Sequence, residues 1–169
     1  MSTEIALIGL GNILLRDEGV GVHAVEALRK RFDFPEGIHL FDGGTLGLDL
    51  LPLMDGVDKI IFIDALDLKQ EPGTIALLED DEIPSFFATK LSCHQVGLAD
   101  LLFAAKLIGL TPSKTVLVGI QPEEIATGLA LSQRVRENFG RLLTTVLEKL
   151  HEWQVPFHEK KERETRPCA

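Results

Sequence analysis

Two uninterrupted apolar runs, Ile5-Ala6-Leu7-Ile8 and Ile60-Ile61-Phe62-Ile63, constrain this chain more than any other feature. A strand with one wet face alternates apolar and polar residues. A run without alternation must be covered on both faces. Between and after these runs the spacing turns helical: Val20, Ala24, Val25, Leu28 and Phe32 share one face, as do Val135, Phe139, Leu142, Leu143, Val146, Leu147 and Leu150. Strands are expected over residues 4–9, 38–42, 59–64, 74–78 and 115–120. Helices are expected over 18–32, 94–108 and 132–153, with shorter pieces over 46–54, limited by Pro52, and over 81–87. Asp17 and Ser132 read as helix N-caps. Strands alternating with helices predict an α/β three-layer sandwich. Its twisted, mainly parallel central sheet is covered by helices on both faces, and the two unbroken runs are internal strands.

Length and composition fit one domain over residues 1–155, followed by a charged tail over 156–169 that is expected to be disordered. The net charge of -9 and the absence of any Lys or Arg run speak against nucleic acid as a partner. The N-terminus lacks the basic region of a signal peptide. The longest apolar stretch, 98–110, is broken by Asp100 and Lys106, so no membrane insertion is expected. With only Cys93 and Cys168, no disulfide framework is implied and the cytoplasm is the expected compartment. No long apolar helix stripe is left over to demand a partner, so a monomer is expected.

Parallel sheets gather the carboxyl ends of their strands at one crevice. Glu18, Asp64 and His94 each follow a short hydrophobic stretch and are expected to meet there. Two carboxylates and an imidazole make a plausible divalent-metal site with a position left for another ligand. Taken singly, each has a plainer reading: helix-end charge for Glu18, turn initiation for Asp64, a capping or surface role for His94. Gly19 and Gly21 favour function at Glu18, because glycine weakens a helix and two near its start imply a close approach to the backbone. Asp42-Gly43-Gly44-Thr45 places another carboxylate and flexible backbone at a strand end. His23 and His39 fall inside a helix and a strand and take structural readings.

Several familiar chemistries are incomplete. Gly9-Leu10-Gly11 lacks the third glycine of a dinucleotide fingerprint, since Leu14 occupies that position, and reads better as a tight turn. Cys93 beside His94 is not a catalytic thiol pair, because such pairs come from distant positions. No Gly-x-Ser-x-Gly elbow is present. His151-Glu152 and His158-Glu159 lack the second histidine of a zinc-protease helix.

Gly9-Leu10-Gly11-Asn12-Ile13-Leu14 with Asp17-Glu18-Gly19-Val20-Gly21 resembles the opening motif of the NiFe-hydrogenase maturation endopeptidases. Asp42-Gly43-Gly44-Thr45, Asp64-Ala65, His94-Gln95 and Val118-Gly119-Ile120-Gln121-Pro122 follow in the same order, so the resemblance spans roughly residues 4–153. It implies an α/β sandwich that removes a C-terminal extension from a hydrogenase large-subunit precursor after nickel insertion. It further implies that Glu18, Asp64 and His94 bind metal and carry the reaction. The nickel would be supplied by the substrate, with no organic cofactor. Two rival readings are a nickel-binding, chaperone-like module that checks the subunit without cutting it, and a nucleotide-binding α/β protein.

Overall fold

The computed structural model describes residues 3–88 and 96–161. Its centre is a five-stranded sheet in the order β3-β1-β4-β6-β5. The strands are β1 (Ile5–Leu10), β3 (Ile38–Gly44), β4 (Lys59–Ala65), β5 (Ile75–Glu79) and β6 (Lys114–Ile120). The first four in spatial order are parallel, and β5 alone runs antiparallel, against β6. Both unbroken apolar runs fall on internal strands, β1 and β4, as their lack of alternation requires.

Alternate residues of each strand feed opposite layers. Ile5, Leu7, Ile61, Ile63, Val116 and Val118 face α1 (Val20–Arg31) and α4 (Gln133–Glu152). Ala6, Ile8, Ile60, Phe62 and Leu117 face α2 (Glu82–Ala88), α3 (Val96–Leu107) and a 3₁₀ helix over Gly47–Met54. The sandwich therefore has helices on both faces and two apolar cores. Each fully buried Ile, Leu or Phe contributes about 1.5–3 kcal/mol. The stretch over 46–54 closes as 3₁₀ rather than α-helix, with Pro52 inside it. At α4, Ser132 is the cap expected from sequence, its hydroxyl accepting from the Val135 N–H. Lys149 lies within the buried stripe of that helix, 6 % exposed, and its amine is held by Glu79 of β5 and by Glu152.

The packing of α1 on the sheet explains its glycines. A Cβ on Gly21 would lie 2.0 Å from the Ile63 carbonyl oxygen, and one on Gly9 would lie 2.2 Å from the Gly21 carbonyl oxygen. The close approach expected at the start of α1 is thus made by the protein's own strands. Glycine at both positions lets the helix descend onto the ends of β1 and β4.

Two expectations are corrected. Residues 156–161 do not belong to a disordered tail. β7 (His158–Glu159) pairs antiparallel with β2 (Phe32–Asp33), and Phe157 packs edge-on to Phe32 at 5.8 Å between ring centroids. The remainder, 162–169, lies outside the described residues. Asp17 does not cap α1: the capping position is Gly19, with no side-chain cap, and the chain enters α1 through a short 3₁₀ turn, Arg16–Gly19.

Candidate active site

Parallel pairing brings the strand ends level. Gly9 of β1 is in register with Asp42 of β3 and Ile63 of β4, and Asp64 stands one residue further, opposite Gly119 of β6. Asp64 therefore emerges at the carboxyl edge of the sheet, between the ends of β1 and β6. Glu18 reaches the same place from the 3₁₀ turn that links β1 to α1. Both line one cavity of about 280 Å³, together with Gly11, Gly44, Thr45 and Gly47, while Leu50, Leu98 and Leu101 form its apolar wall.

Burial dominates the electrostatics of Asp64. Burial pushes the Asp64 carboxyl up to about 7; the hydrogen bond from the Ala65 N–H to Oδ1, at 2.8 Å, opposes the rise, and the nearby Glu18 charge adds to it. Part of Asp64 still opens on the crevice, and Glu18 Oε2 is shielded from solvent. Two desolvated carboxylates in one crevice suit a cation with hard or borderline preferences.

His94, the third expected member, lies outside the described residues, as do Cys93 and Gln95. The described part of α3 starts at Val96, and its Gly97 lines the cavity. Among the described residues no group of three His, Cys, Asp or Glu side chains could hold a metal ion. The described structure thus brings Glu18 and Asp64 together. Gly44 and Thr45 join them from the Asp42-Gly43-Gly44-Thr45 turn, while Asp42 itself is exposed.

Sequence reasoning missed what holds Glu18 in place. Asp17 is fully buried, and its carboxylate accepts three backbone N–H groups from the loop after β6. Glu123 and Glu124 donate to Oδ2, both at 2.9 Å, and Ser132 donates to Oδ1 at 2.7 Å. Arg16 adds its backbone N–H to the Gly128 carbonyl, its Nε–H to the Ala130 carbonyl and a short ion pair to Glu124. Arg16 takes the left-handed conformation, φ 52°, to make this turn. Of the two histidines given structural readings, His23 is partly buried on α1, and His39 on β3 pairs with Glu4 and stacks on Phe41.

Known proteins share the sequence and fold of this chain. The profile of the HycI hydrogenase maturation protease family matches residues 22–149. The chain is 42% identical over 150 residues to the hydrogenase 2 maturation protease of Escherichia coli K12, covering 88% of this chain and 92% of that protein. It is 41% identical to the hydrogenase expression/formation protein HoxM of Azotobacter vinelandii, covering 88% of this chain and 73% of that one. The structure of the E. coli hydrogenase maturating endopeptidase HybD superposes with a TM-score of 0.89 at 40% identity, covering 95% of this chain and 100% of that one. The [NiFe] hydrogenase maturation protease HybD of Thermococcus kodakarensis superposes with a TM-score of 0.73 at 28% identity, covering 88% and 99%. Fold and relatives together define an α/β peptide hydrolase. The chain belongs to the hydrogenase maturation protease family.

Proposed function

We propose that this protein removes the C-terminal extension of a NiFe-hydrogenase large-subunit precursor once nickel has been inserted. Nickel carried by the precursor would be the recognition anchor, bound by Glu18, Asp64 and His94. The observation that carries this reading is the meeting of Glu18 and Asp64, 46 residues apart in sequence, in one glycine-walled cavity at the carboxyl edge of the sheet. A pair of like charges there calls for a positive counterpart, and a nickel ion on the incoming substrate supplies one. The glycines leave backbone room for an extended peptide. A carboxylate of the pair takes a proton from water as the water oxygen bonds to the scissile carbonyl carbon. The C–N bond then breaks and the proton passes to the leaving amine. An empty precursor lacks the anchor, so nickel serves as a checkpoint. The protein acts in the cytoplasm as a monomer, without an organic cofactor. Among the described residues no helix is long and apolar enough to cross a membrane.

The test is intact-mass spectrometry of nickel-loaded and nickel-free precursor after incubation with the protein. Loss of one C-terminal fragment from the loaded form alone is expected. Retention of full length in both would favour a non-cutting nickel checkpoint, and equal cleavage of both would refute the anchor.

A further inference from the structure

A second cavity, of about 430 Å³, opens between α1, α4 and the loop that joins β6 to α4. It shares no lining residue with the crevice. Its apolar wall includes Ala27, Leu131 and Phe139, which pack on the core beneath α1 and α4. The crevice instead takes Leu50, Leu98 and Leu101 from the opposite layer. Leu129, 66% exposed, also lines the second cavity.

Its polar side is cationic. His23, Ala27 and Lys30 are four and three residues apart, so α1 presents them on one face, and Arg136 and Phe139 share a face of α4 in the same way. In a chain of net charge -9, the neighbouring bases find carboxylates: Arg29 pairs with Glu26, Arg31 with Glu159 and Arg134 with Glu137. Lys30 and Arg136 have no such partner among the described residues. Glu26, the one carboxylate lining the cavity, is already held by Arg29. His23 adds a third nitrogen group. Its Nε2 is shielded from solvent and has no hydrogen-bond partner among the described residues, a costly state for a polar atom.

The loop wall is fixed in place. The Ala130 carbonyl accepts the Arg16 Nε–H, the Gly128 carbonyl accepts the Arg16 N–H, and the Ser132 N–H donates to Asp17. The volume lies in the range of small-ligand sites, about 300–1,000 Å³. An inorganic anion would leave the apolar wall wet, a neutral apolar molecule would leave both bases unused, and an ammonium would be repelled by them. A carboxylate on an apolar body satisfies wall and bases together, and a guanidinium matches its two oxygens.

We propose that this cavity is a ligand site, separate from the crevice, for a small carboxylate with an apolar body. Lys30 and Arg136 hold the carboxylate, Leu129, Leu131 and Phe139 cover the body, and His23 supplies a further hydrogen-bonding group. The carboxylate belongs to a free acid or to a peptide chain end, since both present the same chemistry.

The test is NMR titration of the isotope-labelled protein with hexanoate, hexanol, hexylammonium and inorganic phosphate, at one pH and matched ionic strength. Hexanoate should give saturable shifts centred on His23, Lys30 and residues 129–131. The other three should bind weaker by about tenfold or more, as should K30Q/R136Q with hexanoate. Both replaced residues are exposed, so thermal scans should show an unchanged Tm, and K30R should retain binding. The single variants K30Q and R136Q decide the matter if the pair is less stable. N-acetyl-leucine distinguishes the sources: binding tighter than hexanoate assigns the site to chain ends, and weaker binding assigns it to free acids. Non-saturating shifts with both hexanoate and N-acetyl-leucine would overturn the proposal. So would hexanol or phosphate binding as tightly as hexanoate, or full affinity in folded K30Q/R136Q. No precursor enters the assay, so its outcome is independent of the proteolytic reading.

Discussion

Oδ1 of Asp17 accepts the backbone N–H of Ser132 at 2.7 Å, across 115 positions of sequence. Ser132 is itself the cap of α4, so one buried carboxylate fixes both the start of that helix and the turn carrying Glu18. Asp17→Ala would leave three backbone N–H groups without their acceptor. Each buried, unsatisfied group costs about 1–3 kcal/mol. We expect a loss on the order of 3–5 kcal/mol in denaturant unfolding, together with weakened processing as Glu18 loses its fixed position. A loss below about 1 kcal/mol would show that water or another donor arrangement replaces the carboxylate freely.

Glu18→Gln, Asp64→Asn and His94→Ala should each lower precursor cleavage by about 10²–10⁴-fold while remaining folded. The two amides keep the size and remove the charge that attracts a divalent ion. Time-course gels paired with circular dichroism separate this from a surface or capping role, in which processing would persist beside a modest stability change.

Asp64→Asn should also be more stable than the parent in metal-free buffer at neutral and higher pH. Burial holds the folded carboxyl at about 7, against an ordinary 3.8. Between those values the folded protein keeps a proton that the unfolded chain has released. The group's contribution is therefore fully favourable below about pH 4 and is lost as pH rises through about 7. Asparagine cannot ionise and still offers an oxygen to the Ala65 N–H. The variant should lead by on the order of 2–4 kcal/mol near pH 8 and by almost nothing near pH 4. Urea midpoints across this range that stay parallel would sink the idea.

Two glycine-to-alanine changes in helices should have opposite signs. Helix propensity alone predicts a gain of about 0.5–1 kcal/mol for each. Gly140 of α4 is exposed, and a Cβ there meets nothing within 4 Å, so Gly140→Ala should realise that gain. Gly21→Ala should instead lose about 1–3 kcal/mol or more, because its methyl group would press on the Ile63 carbonyl. Thermal melts of both variants check this; a rise in Tm for Gly21→Ala would mean that α1 can lift off the sheet cheaply.

The apolar core was legible because β1, β4 and β6 carry near-continuous hydrophobic runs that only a doubly covered sheet can satisfy. Asp64 was legible for the same reason, as a polar group at the end of such a run, and Glu18 because the turn after β1 opens on the same edge. The partners of Asp17 were not. An aspartate before a helix obeys the same local rule whether the N–H groups it accepts belong to that helix or to a distant loop. The antiparallel direction of β5, the β2–β7 pair and the Glu79 partner of Lys149 are likewise long-range matters to which residue periodicity is blind.

The clamp made by Asp17 also sets a timetable. During synthesis the residues of β1 and the Glu18 turn leave the ribosome early, while their anchor at Ser132 emerges more than a hundred residues later. At about 5–20 residues per second that is a wait of several seconds. β1 can pair with β3 and β4 before then, but the turn carrying Glu18 lacks the loop that holds its Asp17 anchor. The seating of the Glu18 turn by this clamp therefore waits until the residues around Ser132 have been made.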